Sequence, residues 1–451
     1  MGFEDLRQTV AELRSRGRLL EVAEPVSPAH EVAAVLTEAD RRGEGAVYFS
    51  HVNGPGVPVV GNVIFGREVL AWAMGVDETD LAGEFARRLS HPIPTRSTEA
   101  APVLERAAPA DLSIERILPL LTHCQEDSGP YITTGLVSAL SPETGDVARG
   151  IHRMGLRGER ELGVALVNPP LSQLYARFKA QGRPMPMAVA LGVDPLTFAS
   201  FALRGVPGVD KLAVAGGLHG QPVEVVAAPL TGIPVPARAE FLLEGEVDPQ
   251  DERPDGPMGE VGGYSLVFPG TPTFRVRRIY HRADPLYHAL LPTGREGDLL
   301  LAVVSEANIA PRVRSLFPFA QQFFFVPGTC GTSLVVRLAP APREQIRSLL
   351  LQLLTLGVVK KVVAVAEDVD PRDLVHVEWA LATRFQPDQD AMILSDLKAL
   401  PIDPSCPEPF RTAKIALDAT GYERVRGRRP ATLRPDALER ARTLLSGRHT
   451  P

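Results

Sequence analysis

Two carboxylates flank a glycine- and proline-rich stretch in Pro254-Asp-Gly-Pro-Met-Gly-Glu-Val-Gly-Gly-Tyr264. Glycine admits backbone angles closed to other residues and proline narrows the loop's freedom, so Asp255 and Glu260 can be held near one reacting atom. An acid paired with an arginine stays ionised, whereas one facing an apolar cavity has its pKa raised and can carry a proton. The plain alternative is a surface turn with two solvated acids, since turns commonly carry Asp and Gly. A second segment, Arg149-Gly-Ile-His-Arg-Met154, supplies Arg153, whose planar fork suits a carboxylate or a phosphate. His152, beside Ile151 and Met154, reads either as a base or as a structural core histidine. A third segment, Gly216 to Val226, puts Glu224 among β-branched residues. That carboxylate is either paired or cation-bound, or it faces water from a sheet edge. His219 in the same segment has no partner that spacing can name. The glycines at 216–220 fit neither a Rossmann nor a Walker spacing, and the chain has no Gly-x-Ser-x-Gly elbow, His-Glu-x-x-His or kinase set. Hydrolase, zinc-protease and phosphoryl-transfer chemistry therefore lack support.

Residues so far apart need a scaffold to bring them together, and 451 residues suggest two to four domains. The expected class is multidomain α/β. Residues 1–112 read as mixed α/β, with Leu6, Val10 and Leu13 at helical spacing, an amphipathic helix across Met1 to Val22, and a strand-like run from Val57 to Phe65. The Ala/Pro-rich stretch from Ala100 to Pro109 reads as a linker. Residues 113–295 are richer in β pattern: Tyr131 to Leu140, Leu162 to Val167, Met187 to Val193, Val223 to Ala228 and Arg275 to Tyr280 suit strands, and Ser172 to Gln181 a helix. Residues 296–451 alternate strand and helix, with helices from Arg343 to Leu356 and Asp370 to Thr383, which suggests a layered α/β unit. The last helix, Pro435 to Ser446, is one that can dock on another subunit.

Bulk properties narrow the classes further. The net charge of −6 without a basic stripe argues against nucleic acid as partner. Cys124, Cys330 and Cys406 are odd in number and widely spaced, which fits a reducing cytoplasm rather than a disulfide framework or a zinc site. The strongest apolar run, Leu349 to Val359, is too short to span a bilayer, so no membrane span is expected.

Taken in order, these motifs resemble the UbiD-type decarboxylases, over nearly the whole chain. Asp5-Leu-Arg to Pro25-Val-Ser, Val59-Val-Gly-Asn62, Asp127-Ser-Gly-Pro-Tyr-Ile-Thr133, Asp255-Gly-Pro-Met-Gly-Glu260, Trp379 to Arg384 and Lys414 to Thr420 carry the likeness. The resemblance implies an N-terminal α/β region, a central split β-barrel that binds flavin, a C-terminal α/β domain, and a homo-oligomer, commonly a dimer or hexamer. It implies prenylated FMN as cofactor, a UbiX-like flavin prenyltransferase as supplier, and an aromatic or α,β-unsaturated carboxylic acid as substrate. Ile151, His152 and Arg153 match the cofactor loop, Lys414 a lysine near the flavin phosphate, and Arg153, Asp255 and Glu260 the catalytic network, with Glu260 as proton donor. Asp255 is one methylene shorter than the family's usual Glu. The family holds a divalent ion, Mn or Mg, with Asn, His and Glu. Here Glu224 matches the Glu, but Ala148 and Leu171 occupy the other two positions, and neither can ligate a metal. That departure leaves a second reading: a diverged, non-catalytic member acting as a subunit of a larger complex.

Overall fold

The computed structural model describes residues 2–203, 208–400, 403–406, 410–422, 431 and 433–446. Near the start, Asp5 caps the helix Leu6–Ser15 by accepting from Gln8 N, and Leu6, Thr9, Val10 and Leu13 form its buried stripe. The helix is shorter than its amphipathic pattern predicts, because Gly17 adopts φ of 65° and turns the chain into the strand Leu19–Val22. That strand lies in a four-stranded sheet with Ala46–Phe49, Val59–Gly61 and Tyr287–Ala289. The last of these comes from late in the 113–295 stretch and runs parallel to Val59–Gly61. The N-terminal layer is thus completed by chain that follows the central unit.

The central sheet shows how the site is made. Its strands run in the order Tyr131–Ile132, Met154–Gly158, Glu161–Val164, Ser265–His281, Phe241–Gly259, Met185–Leu191, Leu136–Leu140, Val147–Ile151. Val147–Ile151 closes one end of this order, and Met154–Gly158 lies next to the other end. In a flat sheet the six intervening gaps would separate them by about 29 Å. Yet only His152 and Arg153 connect them, a span of at most about 11 Å. The sheet must therefore curl until its ends nearly meet, and the two linking residues occupy the seam. The same holds for Tyr131–Ile132 and Leu136–Leu140, joined by Thr133, Thr134 and Gly135. The continuous strand expected from Tyr131 to Leu140 is broken there, since Thr133 and Thr134 hydroxyls donate to Leu290 O and His288 O (2.7 and 2.9 Å) while the chain steps across.

Two other expectations are corrected. Ala100 to Pro109 is no linker: Ala107 and Arg106 pair with Tyr280 and His281 at the end of Ser265–His281, a strand in the middle of the central sheet. Nor does Asp255 lie in a simple loop. It belongs to the 19-residue strand Phe241–Gly259, which pairs with Ser265–His281 through several register shifts. Pro249, Pro254 and Pro257 cannot donate to the ladder, so bulges interrupt the pairing without ending it.

The C-terminal unit is a five-stranded sheet ordered Ala320–Phe325, Ser333–Leu338, Lys361–Ala366, Arg411–Ala419, Ala391–Lys398. The helix Arg343–Leu354 buries Ile346, Leu349, Leu350, Leu353 and Leu354 on it. The second predicted helix starts later than expected, at Leu374, where Asp373 accepts from Val375 N and His376 N. The final helix, Pro435–Ser446, leaves Leu438 and Leu444 exposed. Among the described residues no helix is long and apolar enough to cross a membrane. The 22-residue helix Arg295–Leu316 joins this unit to the rest, and its buried Glu306 accepts from Arg67 in the N-terminal unit (2.6 Å) and from Phe325 N (3.1 Å). The molecule is a multidomain α/β protein, as the sequence pattern indicates.

Candidate active site

Arg153 leaves the seam and is 9% exposed. Its Nε and Nη2 donate to Asp255 Oδ2 at 3.0 and 2.7 Å, and its Nη1 donates to Glu260 Oε1. The guanidinium lies over the ring of Phe268 at 4.8 Å and beside that of Tyr131 at 5.9 Å. Three residues spread over more than a hundred positions thus form one cluster with an aromatic wall.

Glycines make that approach possible. A side chain on Gly155 would come within 2.7 Å of the Tyr131 ring and 3.2 Å of Asp255 Oδ1. Gly256 has φ of 98°, and a Cβ there would lie 2.5 Å from Leu266 O. Glu260 follows the strand directly and starts the hairpin tip, where Gly263 N donates to Glu260 O and Glu260 N to Tyr264 O. Asp127 fixes the approach to that tip: Oδ2 accepts from His123 N and Cys124 N (3.0 and 2.8 Å), Oδ1 from Gly259 N (2.9 Å). Sequence reasoning did not single out Asp127 or Phe268. The Asp-Ser-Gly segment carried a signal for the first, and nothing did for the second.

The electrostatics divide the two acids. Burial pushes the Glu260 carboxyl above the usual range, and the negative charge of Asp255 adds to this, outweighing the opposing pull of Arg153. Burial also raises the Tyr131 phenol, whose hydroxyl pairs with Ser128 Oγ at 2.9 Å. Asp255 is 4% exposed and takes two donations from Arg153.

The other sequence candidates are placed differently. His152 is buried, with Nδ1 2.6 Å from Ala165 O. A carbonyl only accepts, so Nδ1 carries the hydrogen and Nε2 the lone pair. Burial pushes its pKa down to about 4, which favours the structural reading over a base at neutral pH. Ile151 is half-buried against the N-terminal core. Lys414 is not brought to this cluster: it is buried in the C-terminal sheet, where its ammonium donates to Leu356 O at 2.6 Å. His219 gains the partner that spacing could not name, with Nε2 3.0 Å from Asp194 Oδ1.

The expected metal set is not assembled. Glu224 is neither at an edge nor open to a cation. Its strand Glu224–Ala227 is the middle one of a three-stranded sheet, and its carboxylate accepts from Arg96 at 2.9 Å and Arg238 at 3.2 Å. The Arg96 hydrogen bond, aided by Arg238, holds its pKa below the usual range. Glu224 lines a cavity of about 130 Å³ with Asp194, His219 and Glu4. Ala148 and Leu171 are buried in one apolar cluster. Among the described residues no group of three or more His, Cys, Asp or Glu can hold a metal ion. The residues present do not fit the divalent ion that the resemblance implied.

Comparison with known proteins agrees with this architecture. The chain matches the 3-octaprenyl-4-hydroxybenzoate carboxy-lyase N-terminal domain over residues 10–89, its Rift-related domain over 95–295 and its C-terminal domain over 298–419. It is 30% identical to an anhydromevalonate phosphate decarboxylase of Methanosarcina mazei, over 92% of this chain and 95% of that protein. It is 29% identical to a phenolic acid decarboxylase of Bacillus subtilis, over 93% of each. Among solved structures, the UbiD-class enzyme HmfF from Pelotomaculum thermopropionicum in complex with FMN superposes with a TM-score of 0.92 at 31% identity, covering 97% of this chain and 98% of that one. A chain so matched is a carboxy-lyase, and its curled sheet carries an arginine and two acids at the seam. The chain belongs to the UbiD family of decarboxylases.

Proposed function

We propose that this enzyme decarboxylates an aromatic or α,β-unsaturated carboxylic acid with prenylated FMN, and that Glu260 delivers the proton that replaces carbon dioxide. The observation carrying this reading is the convergence of Arg153, Asp255 and Glu260, with burial raising the carboxyl of Glu260. When bound, the modified flavin supplies the electron sink that decarboxylation needs. A flavin nucleotide fits the chemistry of this chain, because the charge of a buried cation, Lys211, reaches the seam at His152, and among the described residues no carboxylate pairs with it.

The residues divide the work as follows. Arg153 holds Asp255 in a two-donor ion pair and leaves one Nη1 hydrogen for an incoming carboxylate. As the bond to the carboxyl carbon breaks, its electron pair stays on the substrate carbon and carbon dioxide leaves. Glu260 then gives its proton to that carbon, and the new C–H bond completes the exchange. Glu260 retains 26% side-chain exposure, so solvent can return a proton to it. Phe268 and Tyr131 shield the guanidinium from water. A homo-oligomeric assembly and a separate flavin prenyltransferase belong to the same reading. An evolved dimeric form of HmfF, a UbiD-class enzyme, is known in complex with prenylated FMN.

Coexpression with a flavin prenyltransferase tests the proposal. The purified chain should carry prenylated FMN by absorbance and mass spectrometry, and should release carbon dioxide from some member of a panel of aromatic and unsaturated acids. A chain that binds no flavin and turns over no acid would refute it.

A further inference from the structure

Lys211 opens the helix Lys211–His219 and is only 7% exposed. Its Nζ donates to Phe201 O at 2.7 Å, its one hydrogen-bond partner among the described residues. An ammonium has three donors, so two are unspent. The adjacent carboxylate is already committed: Asp210 caps the same helix through Leu212 N at 2.9 Å and accepts Arg149 Nε and Nη2 at 2.7 and 3.1 Å. Burial lowers the pKa of Lys211 to about 8, and no acid counters it. A cation in the first turn of a helix also faces the unfavourable end of the dipole. Such a charge is costly unless an anion joins it.

Its neighbours say where that anion would sit. The charge of Lys211 reaches the ring of His152 and helps keep that ring neutral. His152 Nε2 and Leu171 Cδ1 both abut Gly150, 2.8 and 3.4 Å from where a Cβ would stand. Ala148 lies two residues earlier on the same strand, on the same face as Gly150. The lysine is therefore within electrostatic reach of the corner in which Ala148 and Leu171 stand at the metal-ligand positions that the resemblance implied.

We propose that Lys211 is the fixed cation that holds the phosphate of a flavin nucleotide in this chain, in place of a divalent ion. The inference rests on the flavin reading above. An ammonium needs no set of protein ligands, so it can serve where Ala148 and Leu171 cannot.

The test is FMN binding by the full-length chain, followed by quenching of flavin fluorescence, with EDTA or with added Mn. The wild type should bind FMN equally in both. Lys211→Met should weaken FMN on the order of tenfold or more while changing riboflavin, which lacks the phosphate, much less. Lys211→Arg should retain most of the affinity. Thermal unfolding of Lys211→Met serves as the folding control, and Lys211→Gln replaces it if that variant fails to fold. FMN affinity lost in EDTA and restored by Mn would overturn the lysine assignment while leaving the flavin reading intact. Equal losses for FMN and riboflavin, or no loss for either, would do the same. No flavin binding under any condition would remove both.

Discussion

Asp255 takes two N–H groups of Arg153 on a single oxygen, Oδ2, at 3.0 and 2.7 Å, while another arm of the same guanidinium turns to Glu260. One acid is thereby fixed as the counter-ion of the arginine. The other shares it only at one edge, and remains the group that burial can keep protonated. On the proposed mechanism, the division of labour between these two chemically similar side chains follows from that asymmetry.

Glu260→Gln keeps the shape of the side chain but removes its acidic proton. Turnover should fall by about 100-fold or more, the usual contribution of a positioned acid. The check is steady-state release of carbon dioxide by the flavin-loaded enzyme. Wild-type kcat in this variant would remove Glu260 from the proton transfer.

The pH profile follows from the sign of the same shift. A carboxyl with a raised folded pKa holds its proton further up the pH scale, so the active acid is present at low pH and lost as pH rises through that raised value. The kcat of the wild type should therefore have a descending alkaline limb displaced above the ordinary Glu range. An activity that rises with pH across that range would contradict the assignment.

Arg153→Met should act on stability as well as chemistry. It strands Asp255, a carboxylate at 4% exposure, without its counter-ion. Breaking a buried pair from one side costs about 3–5 kcal/mol. Denaturant unfolding should show this loss for Arg153→Met, and most of it should be recovered in the double variant with Asp255→Asn. A single variant as stable as wild type would mean that the pair is not buried as described.

Gly256→Ala tests the backbone beneath the acids. The positive φ and the close approach of Leu266 O both oppose a Cβ. A destabilisation above about 1 kcal/mol is expected, together with reduced turnover, because Asp255 is the adjoining residue. Unfolding and activity assays on the same preparation measure both.

Glu224→Gln should be nearly silent. Its partners Arg96 and Arg238 have side-chain exposures of 64% and 40%, and exposed pairs of this kind contribute about 1 kcal/mol or less. Flavin retention and turnover should match wild type. A large loss of flavin would restore Glu224 to the cofactor site.

The comparison of sequence with structure turns on where partners lie. The convergence of Arg153, Asp255 and Glu260 was legible because the motifs around them mark all three as partners in one cluster. The strand under Asp255 was not legible: three prolines and several acids read locally as turns, and the strand persists only because Ser265–His281 pairs with it. Ala100 to Pro109 looked like a linker for the same reason, its pairing to Tyr280 and His281 being a tertiary fact. Glu224 looked available to a cation because Arg96 and Arg238 are distant or offset in sequence, and only folding brings both onto it. Lys414 fits a motif, yet the fold spends its ammonium on Leu356 O. Phe268 sits in a segment with no distinguishing pattern, so its place over the guanidinium comes from the hairpin alone.

One oxygen of Glu306 is shared between Arg67 Nη1 and Phe325 N, at 3.2 and 3.1 Å. The carboxylate thus works as a rivet through three plates: the first unit, the joining helix and the last sheet. Any swing of the C-terminal unit toward the seam must either carry the first unit along or pull that rivet. A substitution at this one position would leave the buried Arg67 guanidinium without its counter-ion and loosen all three plates together.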